Sequence, residues 1–149
     1  MEYFQKKPSA PGVRPSRETH RLTSHAAIVV GNIYAVDGAT ATSANSFFAT
    51  TSKTSPDGAV EGTIWVVALE AASAAGQDVL FGLRGVFPCL AGAGGYAADI
   101  ALGVASGALL AAATGDVVVA KSIGTSAVSA ASIVEHWFDG RGMGTAHAI

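Results

Sequence analysis

Glycine punctuates this chain at intervals that leave little room for long helices, and the β-branched and aromatic residues cluster in the short runs between. A glycine inside a helix costs ~1 kcal/mol relative to alanine, so the 18 glycines cut even the alanine-rich stretches into pieces of strand length. Residues 63–69 (TIWVVAL) are almost wholly β-favouring. Residues 77–87 set Val79, Phe81 and Leu83 against Leu80, Gly82 and Arg84, the alternation of a strand with one buried face, and Pro88 is expected to end it. Residues 100–104 and 108–113 flank a break at Gly107, Gly115-Asp116 opens residues 117–123, and residues 133–138 make a last strand before Asp139-Gly140. The spacing predicts a mainly β fold, a small antiparallel sandwich or barrel, with no more than one short helix over residues 69–76 or 97–113.

Upstream of these runs, residues 25–36 are β-favouring and interrupted by Gly31-Asn32, a hairpin or bulge signal, and Asp37-Gly38 closes them. Residues 39–62 read as a long Thr/Ser-rich loop with Phe47 and Phe48 as anchors, one strand over residues 46–50, and a turn at Pro56-Asp57-Gly58. Residues 1–24 differ in kind. They hold Pro8, Pro11 and Pro15, which bias the chain toward extended conformations, and five of the nine basic residues, Lys6, Lys7, Arg14, Arg17 and Arg21. Five basic against two acidic residues give residues 1–22 a net charge of +3, and four against nine give residues 23–149 a net charge of −5. The division is an extended basic arm over residues 1–24 and a β-rich body over residues 25–149. Ordering such an arm costs roughly 1–2 kcal/mol per residue in backbone entropy, more than exposed ion pairs return. Attachment to another surface is therefore expected through Tyr3, Phe4, Val13 and Leu22, with the five basic residues steering the arm toward an acidic partner.

The body is apolar but thin. Half of all residues are hydrophobic and only 13% are charged, yet much of the apolar supply is alanine, which buries little area. Self-association is the expected remedy, with Trp65, Phe81 and Trp137 packed at or near subunit seams of a homotrimer. Cys89 is the single cysteine, which excludes an intrachain disulfide and a thiolate zinc site and fits a reducing compartment. No secretory leader is expected from the N-terminus, and residues 100–113 are too short and too glycine-broken for a membrane-spanning helix.

Catalytic chemistry has no foothold in the pattern. Serine is plentiful without a Gly-x-Ser-x-Gly elbow, and Gly92 to Gly95 lack the Gly-Lys-Ser/Thr ending of a phosphate loop. His20 and His25, five apart, fall on one face of neither a helix nor a strand, and His136 is expected at a surface or interface. No catalytic residue, metal ligand or cofactor is predicted. The aromatics Tyr3 and Phe4 precede the basic positions instead of interleaving with them, which makes nucleic acid an improbable partner.

Residues 62–144, through the segments SGALLAAATGDVVVAKSIGTSA and SIVEHWFDG, resemble the small capsid cement, or head decoration, proteins of tailed bacteriophages. In that family a turn like Gly94-Gly95 leads to a strand like residues 100–104. A pair like Gly107-Ala108 makes the next turn, and a Gly-Asp pair like Gly115-Asp116 opens the following strand. The resemblance implies a non-enzymatic structural protein, assembled in the bacterial cytoplasm, that binds the major capsid protein lattice on the virion and resists internal genome pressure. The alternative is a carbohydrate- or receptor-binding module of a fibre, with Trp65, Trp137 and Tyr96 as stacking platforms. Exposure of those rings discriminates the two.

Overall fold

A computed structural model of the protein describes residues 16–36, 49–50 and 64–146. Among the described residues nine strands run in chain order: β1 (Glu18–Ser24), β2 (Ile33–Val36), β3 (Ala49–Thr50), β4 (Ile64–Ala68), β5 (Asp78–Leu90), β6 (Ala101–Ala105), β7 (Ala108–Ala111), β8 (Ala120–Ser122) and β9 (Ile133–Asp139). They form one sheet in the order β1-β3-β2-β4-β5-β9-β8-β6-β7, and a further β1–β5 pairing curls it into a nearly closed barrel. The pairings are antiparallel except β1 with β3. The mainly β expectation holds, and the described residues contain no helix.

The hydrophobic interior is divided in two by β2 and β4. Ile33, Ala35, Trp65 and Val67 face one cluster, together with Phe87, Cys89, Leu102, Leu109 and Phe138. Their chain neighbours Tyr34, Val66 and Ala68 face the other, together with Leu22, Ile28, Val79, Phe81 and Leu83. A strand buried on both sides has no use for alternating polar residues, which is why residues 63–69 read as a continuous apolar run. Each large side chain so enclosed contributes ~1.5–3 kcal/mol. The wall is tied to the end of β9: the Trp65 N–H donates to the Gly140 carbonyl at 2.9 Å, and a Cβ at residue 140 would overlap the Trp65 carbonyl.

One loop-and-turn arrangement occurs twice. In the first copy Ile28 and Ala72 exchange backbone hydrogen bonds of 2.8 and 3.0 Å, Gly31 N–H donates to Ala68, and Ala68 N–H donates to Asn32. In the second, Val128 and Tyr96 exchange bonds of 2.9 and 3.1 Å, Ala131 N–H donates to Ala91, and Ala91 N–H donates to Ser132. The turns share a left-handed residue, Gly31 at φ 89° and Ala131 at φ 59°. Glycine is required at the first because a Cβ there would press to 3.0 Å on the Ile133 side chain. Even the serines that close the preceding strands match: Ser24 Oγ accepts from the Gln77 N–H at 3.2 Å and Ser122 Oγ from the Asp99 N–H at 3.3 Å.

Several expectations need correction. The body begins earlier than His25, because residues 18–24 of the expected arm are strand β1, paired with β5 from Glu18↔Arg84 to Thr23↔Asp78, with Leu22 and Ser24 buried. Pro88 does not end β5, which continues to Leu90. Its ring nitrogen lies on the same side of the strand as the Leu90 N–H, which donates to Gly31 and not to β9, so no ladder bond is lost. Residues 117–123 contribute only the short β8, with Val117 in an isolated bridge to Thr145. Of the expected strand over residues 46–50, Ala49 and Thr50 are seen as β3. The turns at Asp37-Gly38 and Pro56-Asp57-Gly58, and Tyr3, Phe4, Lys6, Lys7, Val13 and Arg14, lie outside the described residues.

Because Leu22 is enclosed by Phe81, Val79 and their neighbours, Leu22→Ala should lower the unfolding free energy by about 2–5 kcal/mol in urea denaturation. A loss under about 0.5 kcal/mol would mean that β1 is not part of the cooperative body.

Candidate functional site

Side chains alternate across a strand, and on β5 and β9 the alternation builds one outer face. Arg84, Val86, Pro88 and Leu90 of β5 stand opposite Asp139, Trp137, Glu135 and Ile133 of β9. On the reverse of the same strands, Phe87, Cys89, His136 and Phe138 point into the core. The outer face has two ends of different chemistry.

At the Ile133 end the surface is apolar. Ile133 is 48% exposed, the turn holding Val29 and Val30 leans on it through Gly31, and both valines are exposed. Val134 and Ile123, also exposed, line an adjoining hollow with Ser129 and Ser132.

At the Trp137 end the surface is charged and concave. A groove of about 540 Å³ runs between Ser16-Arg17-Glu18, Arg84-Gly85, Trp137 to Asp139 and Met143. Trp137 is 44% exposed. Glu18 receives the Arg141 guanidinium in a forked pair of 3.2 and 3.0 Å and lies 2.9 Å from His20 Nε2. Those two partners hold its carboxyl at about 2, well below the ordinary range. Asp139 accepts the Arg141 backbone N–H at 3.0 Å and lies 3.6 Å from Arg84 Nε. Arg17 donates Nε to the Val86 carbonyl at 3.0 Å and lays its guanidinium 4.8 Å from the centre of the Phe87 ring.

Beneath the outer face lies a buried polar pair. Tyr96 O–H and His136 Nε2 are 2.6 Å apart, and His136 Nδ1 is 2.7 Å from the Val134 carbonyl. A carbonyl only accepts, so Nδ1 carries the proton, Nε2 accepts from Tyr96, and the imidazole is neutral. Burial lowers the His136 pKa and raises those of Tyr96 and Cys89. The expectation of a surface histidine is therefore overturned. The signal for it was present: residues 136 and 138 share a face, and Phe138 is a core residue.

The predicted site residues scatter. Trp65 and Phe81 are fully enclosed, one in each core cluster, and cannot meet another subunit; the Trp65 indole N–H has no hydrogen-bond partner. Trp137 alone of the three reaches the surface. Arg21 is paired within the chain, with Glu70 at 3.1 and 3.2 Å and with Asp78 at 3.4 Å, and Arg17 is bonded through Nε to β5, so both belong to the body and not to a separate arm. His25 Nε2 is buried without a hydrogen-bond partner, and no group of three or more His, Cys, Asp or Glu able to hold a metal occurs among the described residues. No protein-family model, curated protein or solved structure matches the chain.

The neutral His136 sets a pH dependence. Its unfolded-state pKa is about 6.5 and its folded value is lower, so the unfolded chain takes up the proton first as pH falls. Its contribution to stability is full above pH ~6.5 and is lost progressively below. His136→Gln, which keeps an acceptor for Tyr96 but does not titrate, should flatten the fall in urea-denaturation stability between pH 7 and 5. An unchanged slope would show that the pair is not the titrating element.

Proposed function

We propose that this chain is a structural virion protein that binds the outer surface of a bacteriophage capsid as a cement or decoration protein and self-associates as a homotrimer. The observation that carries the reading is the exposed apolar set at the Ile133 end of β9: Ile133 on the outer face beside the turn of Val29 and Val30, and Val134 and Ile123 in the adjoining hollow. Protein interfaces are depleted of charge at their centre, which favours a subunit seam at this end over the charged Trp137 end. The resemblance over residues 62–144 and the charge-poor composition support the same reading. Tyr3, Phe4, Lys6, Lys7 and Arg14 belong to the capsid-attaching segment, acting ahead of the body. The work required is adhesion, which needs no catalytic group.

The carbohydrate-binding alternative draws on one observation. Trp65 and Tyr96 are enclosed and cannot stack on a ligand, but Trp137 is exposed.

Light scattering should give the mass of a trimer at tens of micromolar, and Ile133→Asp should return the monomer with its circular dichroism unchanged. Cosedimentation with undecorated particles should show the wild type bound and Ile133→Asp weakened by roughly tenfold or more. A wild-type monomer that also fails to bind particles would refute the proposal.

A further inference from the structure

The groove at Trp137 is a separate feature from the apolar seam, and its partners are unevenly committed. Its two carboxylates are occupied: Glu18 by Arg141 and His20, Asp139 by the Arg141 backbone and the Arg84 Nε. Its two guanidinium groups are less so: among the described residues Arg17 makes one hydrogen bond, from Nε, and Arg84 one ion pair, with Asp139, in which Nε is the nearest nitrogen at 3.6 Å. The terminal nitrogens of both remain to bind a ligand. Arg17 is also held in place before anything binds, by its Nε bond to the Val86 carbonyl and by the Phe87 ring, whose centre lies 4.8 Å from its guanidinium carbon. Counting Arg141 with Glu18, the groove carries a surplus of one positive charge, which matches a single carboxylate.

The remaining wall is Trp137, which is 44% exposed. At this position β5 and β9 are paired to each other, Arg84 with Asp139 and Gly85 with Phe138, so neither of them offers a free backbone edge to a peptide strand. Recognition must then proceed by face-on stacking and by side-chain hydrogen bonds. A pyranose offers a flat C–H face to an indole, and a uronic acid adds the carboxylate that a planar guanidinium binds in a fork. A volume of about 540 Å³ admits two or three such rings.

From this geometry we infer that the groove lined by Arg17, Arg84 and Trp137 binds acidic oligosaccharides, with a sugar ring stacked on Trp137 and its carboxylate held by the two arginines. This second activity rests on the Trp137 groove alone and holds whether or not the chain attaches to a capsid.

The test is an NMR titration of the isolated full chain with trigalacturonic acid, following the indole N–H of Trp137 with that of the enclosed Trp65 as internal reference. The expected result is a saturable shift of Trp137 with Trp65 unmoved. The fully methyl-esterified trimer keeps the rings and loses the charge, and should bind at least about tenfold more weakly. Arg84→Gln should cause a similar loss, and Trp137→Ala should abolish binding measured by calorimetry while the cores keep their spectrum. No shift at about 10 mM sugar would overturn the inference, as would an ester that binds equally or an Arg84→Gln variant that binds like wild type. Triglutamate binding as tightly as the sugar would overturn it in favour of an acidic peptide.

Discussion

Everything in this fold leans on the pair β2–β4, whose residues are buried on both sides. With Ile33, Trp65 and Val67 turned one way and Tyr34, Val66 and Ala68 turned the other, neither hydrophobic cluster can be opened without exposing part of the other. The arrangement answers the difficulty of a chain rich in alanine and glycine. Small residues bury little area, but two shallow cores that share a wall lose less surface to solvent than two separate ones would. The strand β5, long enough to serve both clusters, carries Val79, Phe81 and Leu83 to one and Phe87 and Cys89 to the other.

The parts of the fold that burial dictates were readable in the sequence. Residues 64–68 form a strand because β-branched and aromatic side chains fill two enclosed faces, and Gly107 turns β6 into β7 where φ is +78°. What escaped reading depends on backbone pairing. Strand β1 has the polar sequence ETHRLTS, with Leu22 and Ser24 as its fully buried residues, so composition assigns it to a tail although β5 supplies a partner along its length. Pro88 looks like a terminus until the direction of its nitrogen is known. The duplicated loop escapes for the same reason: beyond scattered matches such as Ala68 with Ala91, Ser24 with Ser122, Ile28 with Val128 and Ile33 with Ile133, its two copies share backbone bonds and not side chains.

The candidate site divides along the same line. The sequence groups Trp65, Phe81 and Trp137 alike, yet the first two are enclosed and only Trp137 of the three is exposed, because sequence reports size and apolarity and not which face is enclosed. The groove was not foreseeable, since it joins Arg17 to Arg84 and Trp137 across a bulge in the β1–β5 ladder between Glu18 and Thr19. Nor was the Tyr96–His136 pair, which joins a loop to a strand 40 residues away.

The shared wall has one consequence for function: the outer face of β5 and β9 should be rigid, because the strands that form it cannot loosen independently of either core. Residue-resolved native-state hydrogen exchange tests this most directly. The account predicts that the slowest amides of β5 around Val79 to Leu83 and around Phe87 to Leu90 open with the same free energy, equal to that of global unfolding. If the β1 side opened at a free energy lower by about 2 kcal/mol or more while the β9 side stayed protected, the two clusters would be independent units and the shared wall would not be what holds the face in place.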